Sequence, residues 1–210
     1  MDSDSVTVHS ADVSPLGRRE RSKVALRQRL LSAAMAAFAE KGYRAATIDE
    51  IAERADVARA TAFNHFPRKE DFLLALILER RQTVLGKLGD KLESHELSAI
   101  DAIREVVREL GRWWDSDRDM NQAMMRAVLH SGVMATAGSH ASGLAFGRAI
   151  ATGQERGEIR ADLDPIAAGN VIFDGYLGIL YRWGLGEVDQ PLEEAFGTAL
   201  DVVVTGISPR

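Results

Sequence analysis

The chain has 210 residues, 46% hydrophobic and 27% charged, a globular balance with room for one generous domain or two small ones. It contains no cysteine, which excludes a disulfide scaffold, a cysteine-held metal and a thiol nucleophile. The net charge of −5 argues against a nucleic-acid partner until it is divided: residues 1–17 carry −3, residues 18–81 carry +5 and residues 82–210 carry −7, the asymmetry expected when one module alone meets a polyanion.

The opening MDSDSVTVHSADVSPLG is acidic and polar and reads as a disordered tail over 1–17, without the basic and apolar regions of a signal peptide. No 18-residue apolar run is free of charge, so no membrane span is expected and the location read from the sequence is cytoplasmic. From Glu20 to Lys41, Leu26, Leu30, Ala34 and Phe38 recur at spacing four and predict a helix, which Gly42 stops.

Thr47-Ile48-Asp49-Glu50 is a capping box, with the Thr hydroxyl accepting from a backbone N–H and the Glu reaching back. It opens a short helix whose inward face is Ile48, Ile51, Ala52 and Ala55, ending near Asp56. A second short helix runs from Arg59 to His65 and is stopped by Pro67, which disfavours helical geometry at Phe66. Two short helices joined by a tight turn form a helix-turn-helix, whose second helix fits a major groove.

With Val57, Ala62 and Phe66 as anchors, Arg59, Ala60, Phe63 and Asn64 face outward beside Thr61. Arg pairs with guanine O6 and N7, Asn with adenine, and Ala or the Thr methyl touches the thymine methyl. Thr47, His65 and Lys69 lie at helix ends, where side chains and free N–H groups hold phosphates.

Long helices are predicted over 69–91, 97–115 and 119–130. The stretch 132–157 carries six glycines and reads as one helix with a loose approach. Asp164 and Pro165 cap a helix over 166–183 that is apolar nearly all round. Pro191 opens a last helix striped by Leu192, Phe196, Ala199, Val203 and Ile207. The expected fold class is all-α.

Residues 27–75 resemble the N-terminal domain of the tetracycline-repressor (TetR) family. The resemblance is carried by Ala33-Ala34, Phe38, Gly42-Tyr43, Thr47-Ile48, Ile51-Ala52, Ala55, Val57, Arg59-Ala60-Thr61, Phe63, His65-Phe66 and Lys69-Glu70. Asp56 stands where the family usually has a turn glycine, Ala58 where it has a Ser or Thr cap, and Phe63 where it has Tyr. The resemblance implies DNA contacts from Thr47, Arg59, Ala60, Thr61, Phe63, Asn64, His65 and Lys69. Arg44 and the arm residues Arg18, Arg19 and Arg21 are candidates for phosphate or minor-groove contact, the arm reading equally as solvated basic residues at a tail–helix junction. It divides the chain into an 18–68 DNA-binding domain and a 69–210 ligand-binding and dimerisation domain.

A helix apolar on most sides needs burial by something else. Gly169, Gly175 and Gly178 in 166–183 would admit a partner helix, and with the 192–207 stripe they predict a four-helix interface in a C2 homodimer. Trp113, Trp114, Met124, Met125, Leu129, His130, Met134, Phe146, Phe173 and Tyr176, with Asn170 and Asp174 as polar members, are the candidates for lining a pocket for an apolar or amphipathic effector. At helical spacing the same residues also read as core.

Five histidines without ligand spacing, and no P-loop, G-x-S-x-G, H-E-x-x-H or dinucleotide fingerprint, give no metal, cofactor or catalytic residue. The expectation is a ligand-responsive repressor that binds a palindromic double-stranded DNA operator. The alternative is a helical protein–protein adaptor in which 43–70 is structural.

Overall fold

A computed structural model describes residues 17–131 and 139–208. Met134 and the tail before Gly17 lie outside the described residues. The described chain is all-α, with nine helices: α1 (Arg18–Ala45), α2 (Ile48–Arg54), α3 (Arg59–His65), α4 (Lys69–Glu93), α5 (Ala99–Asp115), α6 (Arg118–Ser131), α7 (Ser139–Glu155), α8 (Pro165–Gly184) and α9 (Leu192–Ile207). Among the described residues no helix is long and apolar enough to cross a membrane.

Most local signals act as expected; the exception is Glu50, whose carboxylate meets Lys41 and Arg54 instead of reaching back to the start of α2. Asp164 accepts from the backbone N–H groups of Ile166 and Ala167 at 2.8 and 3.2 Å, with Pro165 in the first turn, where its missing donor costs nothing. Ser98 caps α5 by accepting from Asp101 N at 3.0 Å. The apolar stripe of α1 buries Leu30, Leu31, Ala34, Ala37 and Phe38. Gly42, at φ +77°, breaks the helical path there, a conformation that a side chain would strain.

α4 spans the molecule. Its first turns bury Phe72 and Leu73, with Phe72 stacked on Phe66 at a centroid distance of 4.1 Å, and its later turns bury Val84, Leu88 and Leu92 among the C-terminal helices. The core of that second half is aromatic. Trp114 meets the edge of Trp183 at 5.7 Å and donates Nε1–H to the Tyr176 hydroxyl at 3.0 Å. Burial pushes the Tyr176 phenol up to about 12, against the smaller pull of that hydrogen bond and of nearby Arg81.

The glycines of 139–155 do the opposite of loosening the packing. A Cβ at Gly169 would collide with the backbone of Gly143 and Gly147, so α7 and α8 cross with their main chains nearly touching. Gly169 therefore serves a contact within the chain, which corrects the expectation that it faces a partner subunit. Gly175 and Gly178 on the same helix have open space above them.

Buried or half-buried arginines tie down the loops. Arg118 donates to the carbonyls of Val188, Asp189 and Gln190 before α9, and Arg156 to those of Leu92 and Leu97 between α4 and α5. A guanidinium can serve several carbonyls of an irregular segment at once.

Candidate nucleic-acid interface

The helix-turn-helix is built by short-range interactions. Thr47 Oγ1 accepts from Glu50 N at 3.2 Å and starts α2. The chain reverses at Asp56, whose φ of +52° is the left-handed conformation that a side-chain carboxylate tolerates better than most. Val57 N donates to Ala52 O at 3.0 Å and closes the turn. Ala58 precedes α3 without any side-chain cap.

Ala62 is fully buried and α3 packs on α2, while Phe66, just past the end of α3, is 2% exposed and stacks on Phe72 of α4. Arg27 lies over the Phe66 ring at 4.7 Å. On the outer side Arg59, Ala60 and Asn64 are exposed, and Thr61, Phe63 and His65 are half-buried. Thr47 and Arg44 are exposed nearby, and Arg18, Arg19 and Arg21 lie exposed in the first turn of α1.

Arg59 does not wave freely. Its Nε lies 2.8 Å from Asp49 Oδ1 in an ion pair, and its guanidinium lies over Phe63, 5.3 Å from the ring centroid. An ion pair made at the Nε side leaves both terminal nitrogens of the fork for a planar acceptor pair. Sequence reasoning missed Asp49 as this partner, because it lies on α2 and only the turn brings it alongside.

Lys69 is placed differently from its expected role. Its ammonium donates to the carbonyls of Tyr43, Arg44 and Ala46 at 2.7, 3.1 and 3.0 Å and lies 4.4 Å from the centroid of the Tyr43 ring. All three donors are engaged by the chain reversal after Gly42, and burial pulls the ammonium below the ordinary lysine value. Lys69 is a clasp between α1 and α4 rather than a free phosphate-binding cation. Beside it the Tyr43 hydroxyl donates to Glu70 Oε1 at 2.6 Å. Burial, followed by that carboxylate, raises the phenol well above its usual range.

The expected effector pocket is not assembled from the residues whose composition suggested it. Trp114, Met125, Phe146, Phe173 and Tyr176 fill the core, because large apolar groups on facing helices pack against one another. Leu129 packs against Gly184, Asp174 is exposed on α8, and Asn170 lies over Gly143. His130 is exposed, its Nδ1 2.7 Å from Arg126 O, beside a shallow depression with Tyr43 and Arg44. Trp113 and Met124, in contrast, do line a cavity of about 420 Å³ between α1, α4 and the α5–α6 turn. Its other walls (Gln28, Met35, Phe38, Glu79, Arg80 and Met120 among them) come from helices far apart in sequence. Among the described residues no three His, Asp or Glu side chains group as a cation site.

A helix anchored on its inner face, preceded by a capped helix and a left-handed turn, and bearing Arg and Asn outward, defines a helix-turn-helix DNA-binding protein. Residues 30–76 match the family model described as bacterial regulatory proteins, tetR family. Over 177 residues the chain is 26% identical to the HTH-type transcriptional repressor KstR of Rhodococcus jostii, covering 84% of this chain and 79% of that protein. Its fold superposes on Thermus thermophilus FadR, a TetR-family repressor in complex with lauroyl-CoA, at a TM-score of 0.72 and 26% identity, covering 88% and 96% of the two chains. SmeT, the repressor of the Stenotrophomonas maltophilia multidrug efflux pump SmeDEF, shares the fold at a TM-score of 0.64 and 23% identity, covering 87% and 90%. Residues 30–76 therefore carry a DNA-binding domain of the TetR type, and over most of its length the chain is similar to transcriptional regulators of that family. The adaptor alternative is not favoured by these relatives.

Proposed function

We propose that this regulator is a homodimeric repressor that reads a palindromic operator through α3 and leaves it when a small apolar or amphipathic effector binds. The exposed Arg59, Ala60 and Asn64 on a helix locked from behind by Ala62 and Phe66 carry this reading. Thr61, Phe63 and His65 flank that face, with Thr47 and Arg44 meeting the adjoining phosphates. Residues 18–68 form the DNA-binding domain and 69–210 the sensing and dimerising one. No catalytic step or cofactor enters this reading, and its place is in the cytoplasm with the DNA.

The dimer is supported by the outer face of α8 and α9. Val171, Tyr181, Leu185 and Val202 are exposed there, Val202 by 72%. Between them runs a groove lined by Gly175, Ile179, Phe196, Ala199 and Val203. Two copies of that face form a self-complementary four-helix contact, which places two α3 helices on successive major grooves about 34 Å apart. The effector is supported by the complexes of FadR with lauroyl-CoA and of SmeT with triclosan. It acts by population shift, limited by its differential affinity for the two forms.

Selection of genomic fragments by the purified chain tests the reading, followed by salt titration of the recovered site and repetition with Arg59→Ala. One palindromic sequence, bound less tightly as salt rises, is expected, with Arg59→Ala losing about 1–3 kcal/mol and keeping its fold. Sequence-indifferent binding, or an unaffected Arg59→Ala, overturns it.

A further inference from the structure

We propose that the cavity between α1, α4 and the α5–α6 turn is the effector site, and that it takes an amphipathic molecule with an apolar body and one hydrogen-bond-accepting or singly anionic end held by Arg80. This rests on the regulator reading above and names where its effector binds. The volume, about 420 Å³, falls within the size of small-molecule sites. Leu31, Phe38, Leu76, Trp113, Met120 and Met124 make most of its wall apolar. Met35 is 53% exposed while lining the same space, an apolar side chain left to water that a bound molecule would cover.

The polar end is defined by Arg80. Its Nε is buried and has no hydrogen-bond partner among the described residues. Its Nη2 reaches Glu109 Oε1 at 3.3 Å, an oxygen that Lys87 already serves at 2.7 Å. That Nε is covered by the protein itself, but the side chain as a whole lines the cavity and is 35% exposed, so its positive charge is offered to an acceptor there. Glu79 also lines the cavity and accepts from Gln28 Nε2 at 2.7 Å. One guanidinium beside one carboxylate suits a single acceptor or a single negative charge and disfavours a polyphosphate.

Position explains how occupancy reaches DNA. One wall is α1, on which α2 packs and through α2 also α3, and the opposing walls are α4 and α6. The Lys69 and Glu70 bonds to the end of α1 pass any displacement of that helix to the start of α4 and the turn before α2. A molecule that wedges α1 away from α6 therefore changes the setting of α3.

The test uses the full chain with two fluorescent probes, 1-anilinonaphthalene-8-sulfonate and its uncharged counterpart N-phenyl-1-naphthylamine. Both are expected to bind saturably and to quench Trp113 by energy transfer. Ser32→Phe, at an exposed α1 position lining the cavity, is expected to weaken both by at least about tenfold. Arg80→Gln is expected to weaken the sulfonate about tenfold and the neutral probe less than about twofold, the difference of one charge-assisted hydrogen bond. The sulfonate is also expected to lower operator affinity of the parent chain and not of Ser32→Phe. Unchanged binding of both probes to Arg80→Gln and to folded Ser32→Phe overturns the site, and probe binding that leaves operator affinity unchanged overturns its role. Failure of the probe-free chain to select any operator overturns instead the regulator reading.

Discussion

Replacing Lys69 by methionine separates two roles that the position could have, a phosphate contact or an internal clasp. Methionine keeps an apolar stem and removes three donors, which in this fold point at the carbonyls of Tyr43, Arg44 and Ala46. A hydrogen bond from a charged group contributes about 1.5–3 kcal/mol. Arg44 is exposed, so water replaces that bond, whereas Tyr43 and Ala46 are buried and their carbonyls lose the ammonium with less compensation. A net loss of about 2–3 kcal/mol follows, discounted from the sum because the ammonium is itself partly solvated. For a chain of this size that lowers Tm by roughly 4–12 °C.

Thermal unfolding supplies one half of the assay and salt-dependent operator binding the other. The clasp predicts that the slope of log affinity against log salt stays at the parent value, because Lys69 neutralises no phosphate. A phosphate-binding Lys69 predicts an unchanged Tm and a slope shallower by about 0.9, the value for one phosphate no longer neutralised. That second pattern would dispose of the clasp and return Lys69 to the DNA interface.

Four further outcomes follow from the same geometry. Asp49→Ala frees Arg59 from its 2.8 Å partner and removes a negative charge from the reading face; it is expected to raise affinity for non-operator DNA while narrowing the ratio of operator to non-operator binding, measured by competition. On α8, Gly169→Ala drives a methyl into the α7 backbone and is expected to destabilise by about 1–3 kcal/mol or more. Gly175→Ala, with open space above it, is expected to stabilise the subunit by about 0.5–1 kcal/mol and to raise the dimer dissociation constant, by urea melts and sedimentation. Finally, the folded chain holds the Tyr176 proton up to about pH 12 while the unfolded chain releases it near 10. Stability is therefore expected to fall as pH rises through that window. Tyr176→Phe should flatten the fall by about 1.4 kcal/mol per pH unit, although it leaves the Trp114 N–H without its acceptor.

The helices and the reading head were legible from the order of residues alone. Caps at Thr47 and Asp164, stops at Gly42 and Pro67, and the periodicity of α1, α4 and α9 act over a few residues, so their consequences can be read one turn at a time. The anchoring of α3 by Ala62 and Phe66 and the left-handed turn at Asp56 follow from the same short-range rules. Which side chains meet across helices was not legible in this way. Trp114, Phe146, Phe173 and Tyr176 had the composition of a pocket wall and became core, because facing apolar helices close on each other wherever glycines allow it. The cavity opened instead where α1, α4 and α6 diverge, between residues as far apart as Gln28, Arg80 and Met120. Lys69 likewise found its partners at the end of α1 through a chain reversal more than twenty residues upstream. Local periodicity fixes the face a residue presents, but the distance between two faces depends on the packing of the whole chain.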